Sequence, residues 1–211
     1  MEGHIFQLLP LDDDMVFVVI PSELDKLQTS GKFEHVRIEQ IIEYPNGEPG
    51  FYFIRMRYAA DIDRILEAER EARRALLETS LEIAGQPVRV RYPVLDMGDI
   101  ALVFDGDANT LARTLEANPF VIELTFPTPR PVSGAVLHLG SAYLQVRVSL
   151  STSSAEKPIV FETMFQGSVA QPELNLDFNG EITTQQMRFE ILAPGIAEPA
   201  NIHIWEISIT E

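Results

Sequence analysis

The chain reads as an α+β N-terminal domain over residues 1–98, followed by an all-β jelly-roll sandwich over residues 99–211. Three observations carry this reading. A single strong amphipathic helix pattern, Asp61–Thr79, lies in the first half. Beyond residue 100 the apolar residues fall in short alternating runs separated by Pro, Gly, Ser and Asn. Between the two textures the Met97-Gly98 step interrupts the pattern, which puts the boundary near Asp96–Ile100.

The elements of the first half follow in order. Met15–Ile20 is a short Val- and Ile-rich run closed by Pro21 and reads as a buried strand. Ser22–Ser30 is read as a short helix with Ser22 as its N-cap. Val36–Tyr44 and Phe51–Tyr58 flank Pro45-Asn46-Gly47-Glu48-Pro49-Gly50, a cluster of turn residues, and are expected to form a hairpin. In the second of these runs Phe51, Phe53 and Arg55 alternate with Tyr52, Ile54 and Met56, so both faces are expected to be partly buried.

For the helix, Asp61 serves as cap and Asp63 sits where the positive end of the helix dipole favours acid. Ile62, Ile65, Leu66, Ala72 and Leu76 form its apolar stripe, expected to cover a small antiparallel sheet. Leu81–Ile83 and Val88–Tyr92 then make a second hairpin around Gly85-Gln86-Pro87. In the second half the strands are Phe120–Phe126, Gly134–Leu139, Tyr143–Ser149, Ile159–Phe165, Glu173–Phe178, Gln186–Leu192 and Ile202–Ile209. Short strands without an intervening helix argue two packed sheets.

Composition narrows function by exclusion. The 211 residues carry 16 basic and 32 acidic side chains, a formal net charge of −16. Nucleic-acid affinity rests on Lys and Arg neutralising phosphates, so no nucleic-acid partner is expected. Attraction to anionic lipid is disfavoured for the same reason. There is no Cys, which removes disulfides, thiolate-bound metals and a Cys nucleophile. Met1–Pro10 lacks the basic flank and apolar core of a secretory signal. Met15–Ile20 is far short of the roughly 20 residues that span a bilayer, so no membrane insertion by this chain is expected.

Catalytic signatures do not assemble. His4, His35, His138 and His203 are scattered, without an HExxH pair, and His138 and His203 read as structural strand residues. Asp12-Asp13-Asp14 reads as a solvated charge run. No GxGxxG, P-loop or GxSxG motif occurs. The chain is therefore expected not to be an enzyme.

Chemistry gathers in Val103–Thr114, which reads VFDGDANTLART. Asp105 and Asp107 place two carboxylates in one tight loop that Gly106 permits, and Thr110 adds a hydroxyl and a carbonyl. Calcium takes six to eight such oxygens. The same residues also make an ordinary Asx turn that needs no metal.

Here the chain resembles the discoidin-like family (factor V/VIII type C, galactose-binding-like modules). Asp105, Gly106 and Thr110 match its opening Asp-Gly-x-x-x-Thr; Ala112 stands at the position of the usual Trp. Asn118–Leu124 and Pro131–Leu137 resemble the next two strands, and His203-Ile204-Trp205-Glu206-Ile207 resembles the terminal one. The likeness spans about residues 99–211 and leaves 1–98 unrecognised. It implies a galactose-binding-like sandwich and a structural Ca²⁺ held by Asp105, Asp107, Thr110 and Glu206. It also implies a sugar site in loops at one end, with Asn109, Arg113 and Tyr143 as ligand-binding candidates. Trp205, the only Trp, lies in an alternating strand and reads as a core or sheet-face residue.

The expected function is a non-enzymatic extracytoplasmic binding or accessory protein, with a glycan or another surface protein as partner. The alternative is the soluble structural portion of a larger membrane-anchored or cell-surface protein, such as a membrane glycosyltransferase, with no sugar binding of its own.

Overall fold

The computed structural model describes residues 11, 14–152, 157–196 and 200–211. The Asp12-Asp13 part of the acidic run and His4 lie outside the described residues. Two compact units divide the chain, Met1–Glu69 and Arg70–Glu211.

In the first unit, β1 (Phe17–Val19), β2 (Phe33–Glu43) and β3 (Pro49–Tyr58) form an antiparallel sheet of order β1-β3-β2. The β2–β3 hairpin turns where the sequence places it: Tyr44 N–H donates to Glu48 O at 2.8 Å and Gly47 N–H to Tyr44 O at 2.9 Å. Helix α1 (Pro21–Thr29) follows β1. Its N-cap is Ile20, without a side-chain cap, so Ser22 does not serve as one. Pro21 opens the helix instead, because its missing N–H is one the first turn could not satisfy anyway. Leu24 and Leu27 of α1 bury against Val19, Ile54 and Met56, with Phe17, Phe33, Val36 and Tyr52 around them.

Helix α2 (Ile62–Arg74) stops short of the expected Thr79 and buries none of its residues. The helix that contributes buried residues to the first unit's core is therefore α1, not the long amphipathic one. Leu77, Thr79 and Leu81 leave the helical pattern because they pair with Tyr92, Val90 and Val88 across a hairpin. That hairpin joins β4 (Leu77–Ile83) to β5 (Gln86–Tyr92) through Ala84 (φ 51°) and Gly85 (φ 73°). Two consecutive left-handed residues are the backbone of a tight primed turn, whose twist matches that of the strands.

The second unit is a β-sandwich. After β5 come β6 (Leu95–Met97), a 3₁₀ turn (Ile100–Val103) and β7 (Ala112–Thr114). Then follow β8 (Phe120–Leu139), β9 (Tyr143–Ser151), β10 (Ile159–Gln166), β11 (Glu173–Leu192) and β12 (His203–Thr210). Strands β8 and β11 are 20 residues each and pair along their length, with register breaks between Asp177 and Ile182 and between Thr184 and Gln186. At these breaks the pair bends and passes from one layer to the other. The start of β8 and the end of β11 lie between β5 and β9. The end of β8 pairs with β12, which leads on to β7 and β6.

Inward alternation fills the space between the layers. Phe120, Ile122, Leu124 and Phe126 meet Leu137, Leu139, Leu144, Val146, Val148, Met187, Phe189 and Ile191 in one cluster. Val88 and Val90 of β5 belong to the same cluster and are fully buried. The division of units therefore falls at 69/70 and not at 98/99. The hairpin assigned from sequence to the first domain is a component of the sandwich, because Arg89–Arg91 pair with Thr125–Glu123 of β8. Among the described residues no helix is long and apolar enough to cross a membrane.

Candidate functional site

Strand β12 carries the two neighbourhoods of interest. Ile204 pairs with Leu139 and Glu206 with His138, so Trp205 is the extra residue of a bulge. Ile204 and Ile207 point into the core, whereas Trp205 and Glu206, adjacent in sequence, are both only half-buried. A bulge re-aims side chains in this way.

The first neighbourhood joins Glu206 to the loop after the 3₁₀ turn. Asp99 caps that turn, accepting from Ala101 N–H at 2.8 Å. Gly106 (φ 79°) then supplies a left-handed step. Asp105 Oδ1 accepts from Asp107 N–H at 2.8 Å, and Asp105 Oδ2 from the Thr110 hydroxyl at 3.0 Å. Asp107 Oδ1 accepts from Asn109 N–H at 2.9 Å and from Asn109 Nδ2 at 2.7 Å. These are the Asx turns the sequence allows. Gly106 N–H donates to Glu206 Oε2 at 3.1 Å and ties the loop to the last strand.

The electrostatics are those of crowded carboxylates. Burial, and then the charges of Asp105 and Asp107, push the Glu206 carboxyl up to about 7 against its hydrogen bonds from Gly106 and Ser208. Asn109 holds Asp107 below its ordinary value through its backbone and side-chain hydrogen bonds. Hydrogen bonds thus place Asp105, Asp107, Thr110 and Glu206 in one neighbourhood. Their oxygens are of the hard kind a Ca²⁺ takes. Among the described residues, no set of three or more His, Asp or Glu side chains is in ligating geometry. Both Asp105 oxygens and Asp107 Oδ1 accept hydrogen bonds from within the loop.

The second neighbourhood surrounds Trp205. Its indole lies 5.9 Å from the His203 ring and 6.4 Å from the His138 ring, centroid to centroid. Gly140 faces it so closely that a Cβ there would stand 3.2 Å from the indole. Arg113 of β7 is the register partner of His203. Its guanidinium is fixed bidentately by Asp96, Nε to Oδ1 and Nη2 to Oδ2, both at 2.7 Å. Burial, and then the Arg113 charge, lowers the His203 pKa.

Tyr143 opens β9 after the Gly140–Ala142 turn and is 52% exposed. Of the ligand candidates, Arg113 stands in register with His203 beside Trp205. Tyr143 lies on the segment whose Gly140 the indole touches. Asn109 is on the Glu206 loop, committed to Asp107. From the sequence alone, His138 and His203 read as structural strand residues. The signal that could have found them is a Trp two residues after a His in a terminal strand, with a Gly where the facing strand ends.

The outer face of the other layer is different in kind. Glu123 binds both Arg91 (2.6 Å) and Arg188, and Arg188 reaches Glu190 at 2.8 Å. Two of these ion pairs cross from strand to strand, and the third joins neighbours on the same face of β11.

Comparison with known proteins gives fold likeness only. No family model and no curated protein matches the chain. Among solved structures it is similar to a GH29 fucosidase from Ruminococcus gnavus in complex with fucose. The identity is 14% and the TM-score 0.51, over 72% of this chain and 30% of the fucosidase chain. It is also similar to a chitosan-binding module of a chitosanase/glucanase from Paenibacillus sp. IK-5, at 16% identity and TM-score 0.46, over 66% and 98% of the two chains. A family 32 carbohydrate-binding module of NanJ from C. perfringens, in complex with galactose, resembles it at 12% identity and TM-score 0.48, over 63% and 98%. The solved structures that the chain resembles thus include carbohydrate-binding modules.

Proposed function

We propose that the chain is a non-catalytic glycan-binding protein that works outside the cytoplasm, with a galactose-binding-like jelly roll preceded by a small α+β portion. The observation that carries this reading is the half-buried Trp205, set between His138 and His203 beside the anchored Arg113. A pyranose needs one apolar ring face to stack on and a few fixed polar groups for its hydroxyls. Trp205 supplies the first; Arg113, His203 and Tyr143 supply the second. The likeness to part of a fucosidase that was solved with fucose supports the same reading at the level of fold.

Asp105, Asp107, Thr110 and Glu206 are proposed to hold a structural Ca²⁺, which would offset the repulsion among their carboxylates. When bound, that ion supplies charge compensation and a cross-link between loop and strand, with no part in any reaction.

The test is a titration of fucose, galactose, mannose and N-acetylglucosamine, read by Trp205 fluorescence, the chain having no other Trp. A saturable change near millimolar Kd, about −4 kcal/mol, supports binding. Absence of any change up to saturating sugar would leave the second reading, a structural part of a larger protein. The commitment of Asn109 to Asp107 favours that second reading.

A further inference from the structure

Within the sandwich unit, the layer that carries β12 runs β6-β7-β12-β8-β11, the start of β11 lying along the end of β8. Alternation sorts the side chains of this layer. Ala112, Thr114, Leu137, Leu139, Ile204 and Ile207 are buried, so the residues between them turn outward. Pairing then lines those residues up from strand to strand. Met97 stands opposite Arg113, and Arg113 opposite His203. His138 stands between Glu206 of β12 and Glu173 of β11. The bulged Trp205 joins the two halves, its indole near both the His203 and the His138 rings. Met97, Arg113, His203, Trp205, His138 and Glu173 thus form one outward row that crosses every strand of the layer.

Distance decides what such a row can hold. Neighbouring strands lie about 4.8 Å apart, so Met97 and Glu173, each two strands from β12, stand about 10 Å to either side of Trp205. One pyranose stacked on the indole reaches the histidines and Arg113 but neither end of the row. Both ends are open to a ligand: Met97 is 47% exposed, and Glu173 is exposed too. The middle is stiff. Asp96 pins Arg113 through two bonds of 2.7 Å, and the strand ladder carries the other members. A row fixed in advance loses little freedom when a long ligand settles on it. Its chemistry is also that of a sugar chain. The indole and the thioether meet ring faces, and the guanidinium, imidazoles and carboxylate meet hydroxyls.

We propose that the ligand is a short linear chain of sugars laid across the strands from Met97 to Glu173, and not a single terminal sugar. This inference rests on the glycan reading of Trp205 and names the form of the glycan. Trp205 is then the central subsite, with Met97 and Glu173 as the outer ones. The opening loop contributes less, since Asn109 is committed to Asp107.

The experiment titrates N-acetylglucosamine, galactose and mannose into the whole chain, each as the monosaccharide and as its linear β-1,4-linked tetrasaccharide. Binding is read by Trp205 fluorescence and by calorimetry. In one of the three series the tetrasaccharide should bind at least about tenfold more tightly than the monosaccharide. Met97→Ala and Glu173→Ala should each weaken the tetrasaccharide about threefold or more and leave the monosaccharide unchanged, a split that misfolding cannot imitate. Equal affinity for one unit and for four would overturn this proposal and leave the glycan reading standing. So would a tetrasaccharide that binds both variants as tightly as it binds the parent chain. No response to any sugar of either length would remove the glycan reading, and this inference with it.

Discussion

Glu206 on the last strand accepts a hydrogen bond from the Gly106 N–H, 3.1 Å away and 100 residues earlier in the chain. This contact closes the opening loop onto the edge of the sandwich. It also brings a third carboxylate beside Asp105 and Asp107, and the first two expectations follow from that crowding.

Calcium should raise the melting temperature and EDTA should lower it. A ligand bound only by the native state stabilises it by about 2.7 kcal/mol at a hundredfold excess over Kd. Asp105→Asn keeps an acceptor for the Asp107 N–H but removes a charge, so it should blunt the response without opening the loop. Glu206→Ala should abolish it. A melting curve unchanged in millimolar calcium would reduce Asp105 and Asp107 to turn residues.

Without divalent cations, Glu206 should make stability fall as pH rises. Its carboxyl lies near 7 in the folded chain against an ordinary 4.5. The native state therefore favours the protonated form. That contribution is fully present below about pH 4.5 and is lost as pH climbs through about 7. Glu206→Gln carries no titrating proton and should flatten this part of the profile, making the variant the more stable protein at pH 8. Parallel stability profiles for the two proteins, measured in urea, would contradict the assignment.

Residues 70–211 should form a more stable piece than 99–211. The shorter piece lacks β5, whose Val88 and Val90 are wholly buried in the sandwich core. Burying a side chain of this size contributes about 1.5–3 kcal/mol. Two such losses, together with the freed edge of β8, should cost several kcal/mol in chemical denaturation. Equal midpoints for the two pieces would mean that β4 and β5 add nothing.

Phe120→Ala should destabilise the chain by about 3–5 kcal/mol, the usual cost of emptying a closed aromatic site. Phe120 is 0% exposed at the start of β8. Met164→Ala, on the outer strand β10 and 45% exposed, should change stability by no more than about 0.5 kcal/mol. Similar losses for both would place the core elsewhere.

Trp205→Phe should retain an apolar ring but lose the indole N–H and part of the stacking area. If sugar binds where proposed, affinity should drop severalfold while the melting temperature moves little. Arg113→Gln should weaken binding too, and it also frees Asp96. Unaltered sugar affinity in both variants, measured by calorimetry, would move the site away from β12.

Much of the sandwich is written in local alternation. Leu144, Val146, Val148 and Leu150 repeat with period two, and all four face the core of β9. What hides from sequence is continuity. Pro127, Pro129 and Pro131 look like the end of a strand, since a proline cannot donate to a ladder. Yet β8 runs through all three, because they sit exposed at the bend, next to where pairing with β11 breaks. The three-residue strands β6 and β7 are too short to show a period at all. The end of α2 is equally illegible, for the stripe runs on to Leu76 and the chain turns into a strand at Leu77, where β5 offers a partner.

Local chemistry settles the turns of this chain: Asp-Gly-Asp-Ala-Asn folds back through Asx hydrogen bonds that need no distant residue. It also settles the inward faces of the long strands, since side-chain direction alternates with every residue. Tertiary structure alone decides what meets those turns. Glu206 reaches Gly106, and Trp205 stands between two histidines, through one bulged residue in β12. A single extra residue flips every later side chain to the other face, and no local pattern records where pairing with a strand 60 or more residues away will slip.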